Sequence, residues 1–133
     1  MPLTADRNTP MKDGELISVP VAANVVIYAG ALVAASSTGL ATPGAVATAL
    51  TYLGRAEEQV DNTGGAASAK SVLIRMGKAF KFKNYATDPV VQADMGKVCY
   101  IFDDEQVAHT DGSAARSAAG KVVGVETDGV WVQ

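Results

Sequence analysis

The sequence is poor in the residues on which many enzymes and metal sites depend. Its 133 residues include one Cys and one His, and aromatic residues make up 6% of the chain. Because Cys99 is alone, an internal disulfide is excluded. Cys99 and His109 also cannot form a protein-only zinc site unless several carboxylates join them. These shortages weigh against a disulfide-linked secreted domain and against a zinc enzyme.

Charge is also scarce, and neither sign dominates. Charged residues account for 19% of the chain, the net charge is −3 and the pI is about 5.0. An average soluble protein has roughly 25% charged residues, so much of this surface is neutral and suited to burial in an assembly. The weakly acidic balance gives no sign of a nucleic-acid-binding surface, and we expect no nucleic acid as partner.

From Leu16 to Gly54 the chain has no Asp, Glu, Lys or Arg. A secretion signal would need a basic start, whereas this chain opens with mixed acids and bases and two prolines. A membrane helix would need about 20 strongly apolar residues, but this run is mostly Ala and Val and is broken by Pro, Asn and Gly. We therefore interpret it as strands of a β domain and expect no membrane partner. Part of it is predicted to be an interface between subunits, with Val26, Tyr28 and Leu32 as the interface residues.

Residues 1–13 show no apolar periodicity and contain two prolines. They predict an extended N-terminal arm with few contacts to a core of its own. A disordered tail and an arm that becomes ordered on a neighbouring surface are both compatible with this pattern.

The rest of the sequence has the period of strands. The clearest case is Lys70–Lys83, in which apolar residues of one parity alternate with basic residues of the other. Short runs of this kind are separated by turns rich in Gly, Asn, Asp and Pro, and long helical periodicities are missing. The prediction is a single all-β domain over residues 14–133, a small β-barrel or β-sandwich with short Gly-rich turns and at most one short helix.

Three local features are predicted within this pattern. Gly77 interrupts Lys70–Lys83 and indicates a bulge or a bend in the strand. The segment TPGA at 42–45 predicts a turn with its proline at the second position. Asp88, which a proline follows, predicts the start of one helical turn.

No group of residues predicts a catalytic site. His109 is interpreted as a half-exposed strand residue, and Cys99, inside an apolar strand, as a buried structural thiol. The run Asp103-Asp104-Glu105 is the best candidate for a cation site, but a solvated hairpin turn explains it more simply. Glu57 and Glu58 are neighbours on a predicted strand, so they point to opposite faces and form no acid–base pair. We expect no catalysis, no metal, no cofactor and no small-molecule substrate.

Several segments, taken in order, resemble the small capsid cement or head decoration proteins of tailed bacteriophages. A polar arm leads into a Gly–apolar–Val opening, a hydrophobic-Gly strand with an Asn-Thr-Gly-Gly loop, a central strand with Gly and aromatics, a later Gly–apolar hairpin and a closing Val–Gly–Val strand pair. These segments are YAGALVAASSTGLATPG (28–44), YLGRAEEQVDNTGG (52–65), VLIRMGKAFKFKN (72–84), MGKVCYIFDDEQVAHT (95–110) and GKVVGVETDGVWVQ (120–133).

The resemblance implies a structural role without catalysis. Members of this family are compact β domains, usually homotrimers, that sit on the outer surface of the capsid in the virion and stabilise the expanded shell by bridging subunits of the major capsid protein. The resemblance also implies that the N-terminal arm lies on the major capsid protein. The arm residues expected to make these contacts are Leu3, Thr4, Asp6, Arg7, Asn8, Pro10 and Met11.

Two other functions stay open at the level of sequence. A receptor- or carbohydrate-binding β domain of a phage fibre or surface protein would need exposed aromatics grouped on one face. The candidates for such a face are dispersed along the chain, namely Tyr28, Tyr52, Tyr85, Tyr100 and Trp131. A small hydrolase or metal-dependent enzyme is the third possibility, and the sequence offers almost nothing for it.

Overall fold

The computed structural model of the chain describes residues 2–133, and Met1 lies outside that range. The described chain is all-β, as predicted, with twelve strands and one 3₁₀ turn, Gln92–Asp94. The strands are β1 (Leu16–Pro20), β2 (Val26–Ile27), β3 (Leu32–Ala35), β4 (Ala41–Pro43), β5 (Thr51–Ala56), β6 (Val60–Asp61), β7 (Ser71–Arg75), β8 (Phe80–Asn84), β9 (Val98–Ile101), β10 (Gln106–Ala108), β11 (Ala118–Glu126) and β12 (Gly129–Val132).

The strands form two main sheets. The N-terminal sheet has five strands in the order β1-β7-β5-β3-β4. The C-terminal strands close into a five-stranded barrel in the order β10-β8-β12-β11-β9, and β2 and β6 form a separate pair. Most neighbours are antiparallel, and the exception within the barrel is the parallel pair of β10 with β8. Of the two predicted architectures, the structure has the barrel, with an open sheet beside it.

Strand β3 is the wall between two hydrophobic cores. Leu32 and Ala34 belong to the barrel core, which also contains residues of β8, β9, β10, β11 and β12. Ala31 and Val33 face the second core, which the N-terminal sheet and the β2–β6 pair enclose. Because successive residues of a strand point to opposite faces, a strand that is buried on both faces has no position for a charged side chain. This double burial explains the absence of charge around β3.

The alternating segment Lys70–Lys83 contains two strands instead of one bent strand. Its alternation is confirmed, since Val72 and Ile74 are buried in β7 and Phe80 and Phe82 are buried in β8. However, β7 lies in the open sheet and β8 lies in the barrel. The predicted bulge is therefore wrong: Gly77, with a φ of +73°, lies in the turn that carries the chain from one sheet to the other.

The predicted turn at 42–45 is also displaced. Residues Ala41–Pro43 are strand β4, and the turn precedes them, where the amide of Ser36 donates to Leu40 O at 2.8 Å. A proline is compatible with β4 because this strand is at the edge of its sheet. Gly44 follows it and is buried, and a Cβ there would lie 2.8 Å from the Leu32 side chain.

One helical turn is present, as predicted, but it begins later. The residue immediately before this turn is Val91, whose amide donates to Asp94 Oδ2 at 2.9 Å. Asp88 instead accepts hydrogen bonds from Thr110 and Arg116. A side chain engaged in a long-range contact of this kind is not free to cap a local turn, and the helical turn begins at Gln92 instead.

Candidate functional site

The N-terminal segment lies outside both cores. Residues 2–14 are all exposed, including Leu3 at 73% and Met11 at 98%. Among the described residues, the hydrogen bonds within 2–12 are local, such as that from Arg7 Nη1 to Thr9 Oγ1 at 3.0 Å. Contact with the domain begins at Glu15, whose carboxylate pairs with Lys78 at 3.0 Å. The predicted arm residues Leu3, Thr4, Asp6, Arg7, Asn8, Pro10 and Met11 therefore all lie on this exposed segment.

The three residues predicted to form a subunit interface have different environments. Tyr28 is 58% exposed and Val26 is half-buried. Leu32 is 0% exposed and packs within the barrel core of its own chain. The prediction for Leu32 is corrected by this burial, because its side chain has no surface to offer a second subunit.

A shallow depression of about 390 Å³ lies beside Tyr28. The loop after β2 forms one wall and the β9–β10 turn forms the other, with Asp104 and Glu105 at its edge. The amide of Leu32 donates to Asp104 O at 2.8 Å and holds the two walls together. Burial raises the pKa of the Asp104 carboxyl, and the neighbouring carboxylates Asp103 and Glu105 raise it further.

The acidic turn itself is held by its first carboxylate. Asp103 Oδ1 accepts hydrogen bonds from the amides of Glu105 at 2.9 Å and Gln106 at 2.7 Å, and its Oδ2 accepts from Gln106 Nε2 at 2.6 Å. These contacts support the interpretation of the run as a hairpin turn. Within residues 2–133, no group of three or more His, Cys, Asp or Glu side chains is placed to hold a metal ion.

Cys99 is buried at 1% exposure, as predicted, and its Sγ lies 3.5 Å from Gly120 O. Burial raises the pKa of its thiol to about 12. A reactive cysteine requires a thiolate in an accessible and cationic setting. This thiol therefore has the properties of a core side chain.

His109 has a carboxylate partner that the sequence did not indicate. Its Nδ1 lies 2.8 Å from Oδ2 of Asp94, which is 15 residues away in the chain and buried. The hydrogen bond from the Val91 amide, together with His109, holds the pKa of Asp94 below its usual value. The pair connects the 3₁₀ turn that precedes β9 to the residue that follows β10.

The paired glutamates after β5 have separate partners. Glu57 is bound by Arg55 and by Arg75, and these guanidinium groups lower the pKa of its carboxyl. Glu58 Oε1 accepts a hydrogen bond from the Leu73 amide at 3.2 Å. The two carboxylates form no acid–base pair.

The aromatic side chains are engaged within the protein in different places. Tyr52 packs edge-on against Phe82 with the ring centroids 6.4 Å apart, and its buried hydroxyl has no hydrogen-bond partner among residues 2–133. Tyr85 stacks on Phe102 at 3.7 Å. Trp131 donates through its Nε1 to Glu126. Tyr52 at least is unavailable to a sugar-binding platform.

No protein-family model, no curated protein and no solved structure matches the chain. Among residues 2–133, no helix is long and apolar enough to cross a membrane.

Proposed function

We propose that this chain is a structural virion protein that binds the outer surface of a bacteriophage capsid. In this proposal it acts as a homotrimer, stabilises the expanded shell by bridging subunits of the major capsid protein, and has no catalytic activity. The order of its sequence segments and its weakly charged β domain support this function.

The observation that carries the proposal is the exposed arm. An apolar residue such as Met11, at 98% exposure, gains free energy only when a partner covers it. The arm includes a second such residue, Leu3, eight positions earlier, so an extended arm can reach two separate apolar sites on a capsid subunit. Its charged residues Asp6 and Arg7 add at most ~0–1 kcal/mol each at a solvated rim. The arm therefore binds mainly through apolar contact and ordering of its backbone.

The domain supplies the rigid part of such a clamp. Strand β3 belongs to two cores at once, so neither core can shift without disturbing the other. A body of fixed shape can recognise the spacing of subunits in the expanded shell, whereas a flexible one could not.

A carbohydrate-binding role has less support, because Tyr52 lies against Phe82 and Tyr85 against Phe102. Of the remaining partly exposed aromatics, Tyr28 lies in the loop after β2, while Tyr100 and Trp131 lie on barrel strands that are not neighbours, β9 and β12.

The proposal is tested by cosedimentation with expanded capsids of the virus that encodes the chain, purified without it. The full chain should sediment with the capsids. A Leu3→Ser, Met11→Ser variant should bind at least ten-fold more weakly, while Thr4→Ser with Asn8→Ser, a matched change of polar arm residues, should bind as the full chain does. Absence of binding by the full chain would refute the function, and equal binding by all three proteins would refute the role of the arm.

A further inference from the structure

One face of the barrel exposes apolar side chains between lysines. Val98 in β9 is directly opposite Lys121 in β11, and both side chains are exposed. Val123 lies two residues beyond Lys121 in β11, at a bulge between Val122 and Gly124, and is exposed like Lys121, and Lys97 precedes Val98 in the chain. Val98 is 48% exposed and Val123 is 39% exposed. We refer to Lys97, Val98, Lys121 and Val123 as the lysine–valine face.

The lysines of this face have no carboxylate partner. Lys78, Lys81 and Lys83 form ion pairs with acidic side chains. Among residues 2–133, neither Lys97 nor Lys121 forms one, although the charge of Lys97 helps to lower the pKa of the nearby Asp94 carboxyl. An apolar centre with unpaired cations beside it is complementary to a surface that offers an apolar group beside carboxylates.

A surface of this kind lies beyond the other end of β9. Strand β9 starts at Val98 and leads into the turn that contains Asp104 and Glu105. Next to that turn, across the shallow depression, is the exposed ring of Tyr28. Asp104 has no cationic partner among residues 2–133, while Glu105 pairs with Lys83 at 3.2 Å. We refer to Tyr28, Asp104 and Glu105 as the acidic end.

We propose that the lysine–valine face of one copy of this chain binds the acidic end of a second copy, head to tail. In this contact the Tyr28 ring covers Val98 and Val123, and Lys121 and Lys97 approach Asp104 and Glu105. The apolar contact supplies most of the free energy, and the charges fix the orientation and exclude other pairings. In a head-to-tail contact each copy offers a different surface to each of its two neighbours, so the contact is heterologous, and copies joined in this way form a closed ring when the rotation between them closes.

The electrostatics of the isolated chain agree with this arrangement. The pKa of the Asp104 carboxyl is raised by burial and by two neighbouring carboxylates. A lysine from another copy would relieve that repulsion. The inference deepens the proposed function, since it specifies how copies of the chain associate before or during capsid binding.

The test is the molar mass in solution, measured by light scattering over a range of concentrations. The full chain should reach a multiple of its 13.6 kDa mass. Lys121→Glu and Asp104→Lys should each weaken association by roughly ten-fold or more, because each places like charges opposite one another. The double variant carries both reversals, so every contact again joins opposite charges, and its association should recover. Lys12→Glu, a reversal on the exposed arm, is the matched control and should leave the mass unchanged.

Mixing the two single variants tests the head-to-tail order. Each variant keeps one native surface, so the native surfaces of the two can pair, and the mixture should associate more tightly than either variant alone. Circular dichroism of each variant should match that of the full chain, which separates loss of association from loss of folding. A full chain that is monomeric at all concentrations, or folded single variants that associate as the full chain does, would overturn the inference.

The outcome is independent of the capsid experiment. Charge reversals without effect on mass, together with arm-dependent capsid binding, would overturn the head-to-tail contact alone. A head-to-tail oligomer that binds no capsid would overturn the proposed function alone.

Discussion

Neighbouring residues of β3 have separate structural roles. Leu32 fills part of the barrel core, while Val33 fills part of the second core on the other face of the sheet. Both side chains are 0% exposed. The consequence of a substitution here is set by the cavity that it leaves inside the protein, and Leu32 provides the clearest case.

We predict that Leu32→Ala lowers the free energy of unfolding by about 2–5 kcal/mol, the range for large-to-small changes in a packed core. Met11→Ala, on the arm and 98% exposed, should change it by less than about 0.5 kcal/mol. Urea unfolding of both variants measures the difference. Similar values for the two would mean that Leu32 is not a core residue.

The thiol of Cys99 should be unreactive in the folded protein. Because burial raises its pKa to about 12, almost none of it is thiolate at pH 8, and the thiolate is the reactive form. A chromogenic disulfide reagent should therefore label the native chain at the rate of unfolding and label the chain in denaturant at once. Rapid labelling of the native protein at pH 8 would contradict the burial of this side chain.

The Asp94 carboxylate should make stability depend on pH. Its pKa is held below the ordinary value of 3.8, chiefly by the Val91 amide and also by His109. A carboxyl with a lowered folded-state pKa stabilises the protein above its ordinary pKa, and that contribution is lost as the pH falls through the lowered value. Asp94→Asn should therefore be less stable than the unmodified chain at pH 7. The difference between their unfolding temperatures, the stability gap, should narrow towards pH 3. Thermal unfolding across this range measures the gap, and a constant gap would exclude an electrostatic role.

At the scale of the element, one side chain holds the long loop before β11. Arg116 donates to Asp88 Oδ2 at 2.8 Å and to Thr110 O at 2.9 Å. Its guanidinium group also lies 5.5 Å from the ring centroids of both Tyr85 and Phe102. The loop is thereby fixed to the segment that follows β8 and to the β9–β10 turn.

We predict that Arg116→Met destabilises the protein by roughly 1.5–3 kcal/mol, since a charged hydrogen-bonding partner of Asp88 is lost and the carboxylate is left partly buried. Arg75→Met, which removes a half-exposed partner of Glu57, is the control and should cost about 0–1 kcal/mol. Urea unfolding provides both values. Equal effects would show that the loop does not depend on Arg116.

The sequence predicts which segments form strands much better than it predicts which strands lie in the same sheet. The period-two alternation of β7 and β8 predicts both strands, because burial on one face leaves that pattern in any sheet. The alternation does not show that the two strands belong to different sheets, because a turn such as the one at Gly77 can connect strands of one sheet or of two. The uncharged run around β3 suggests burial, but burial against a second subunit and burial between two cores of one chain leave the same composition.

Of the candidate surfaces, the sequence predicts the arm but not the lysine–valine face. An exposed arm follows from residues 2–13, which have too few apolar side chains to form a core. The lysine–valine face could not be found from sequence, because Lys97 and Val98 are separated from Lys121 and Val123 by more than twenty residues and meet only through the pairing of β9 with β11. The pairing of His109 with Asp94 was hidden for the same reason.

At the scale of the whole molecule, a double-core domain carries an exposed arm. In the proposed function, a single arm with two apolar residues is expected to bind weakly. Several arms carried by one oligomer bind far more tightly, because after the first has bound the others are held at a high effective concentration near their sites. The proposed clamp therefore depends on the domain for geometry, on the oligomer for avidity and on the arm for contact.

The most direct test of the clamp is the temperature at which DNA-filled capsids, stripped of this protein, release their DNA. Addition of the full chain should raise this temperature by several degrees, since a ligand that binds only the intact shell stabilises it. A chain that lacks residues 1–13 should leave it unchanged while keeping its own folded structure. A release temperature that the full chain does not raise, or that the truncated chain raises equally, would contradict the account.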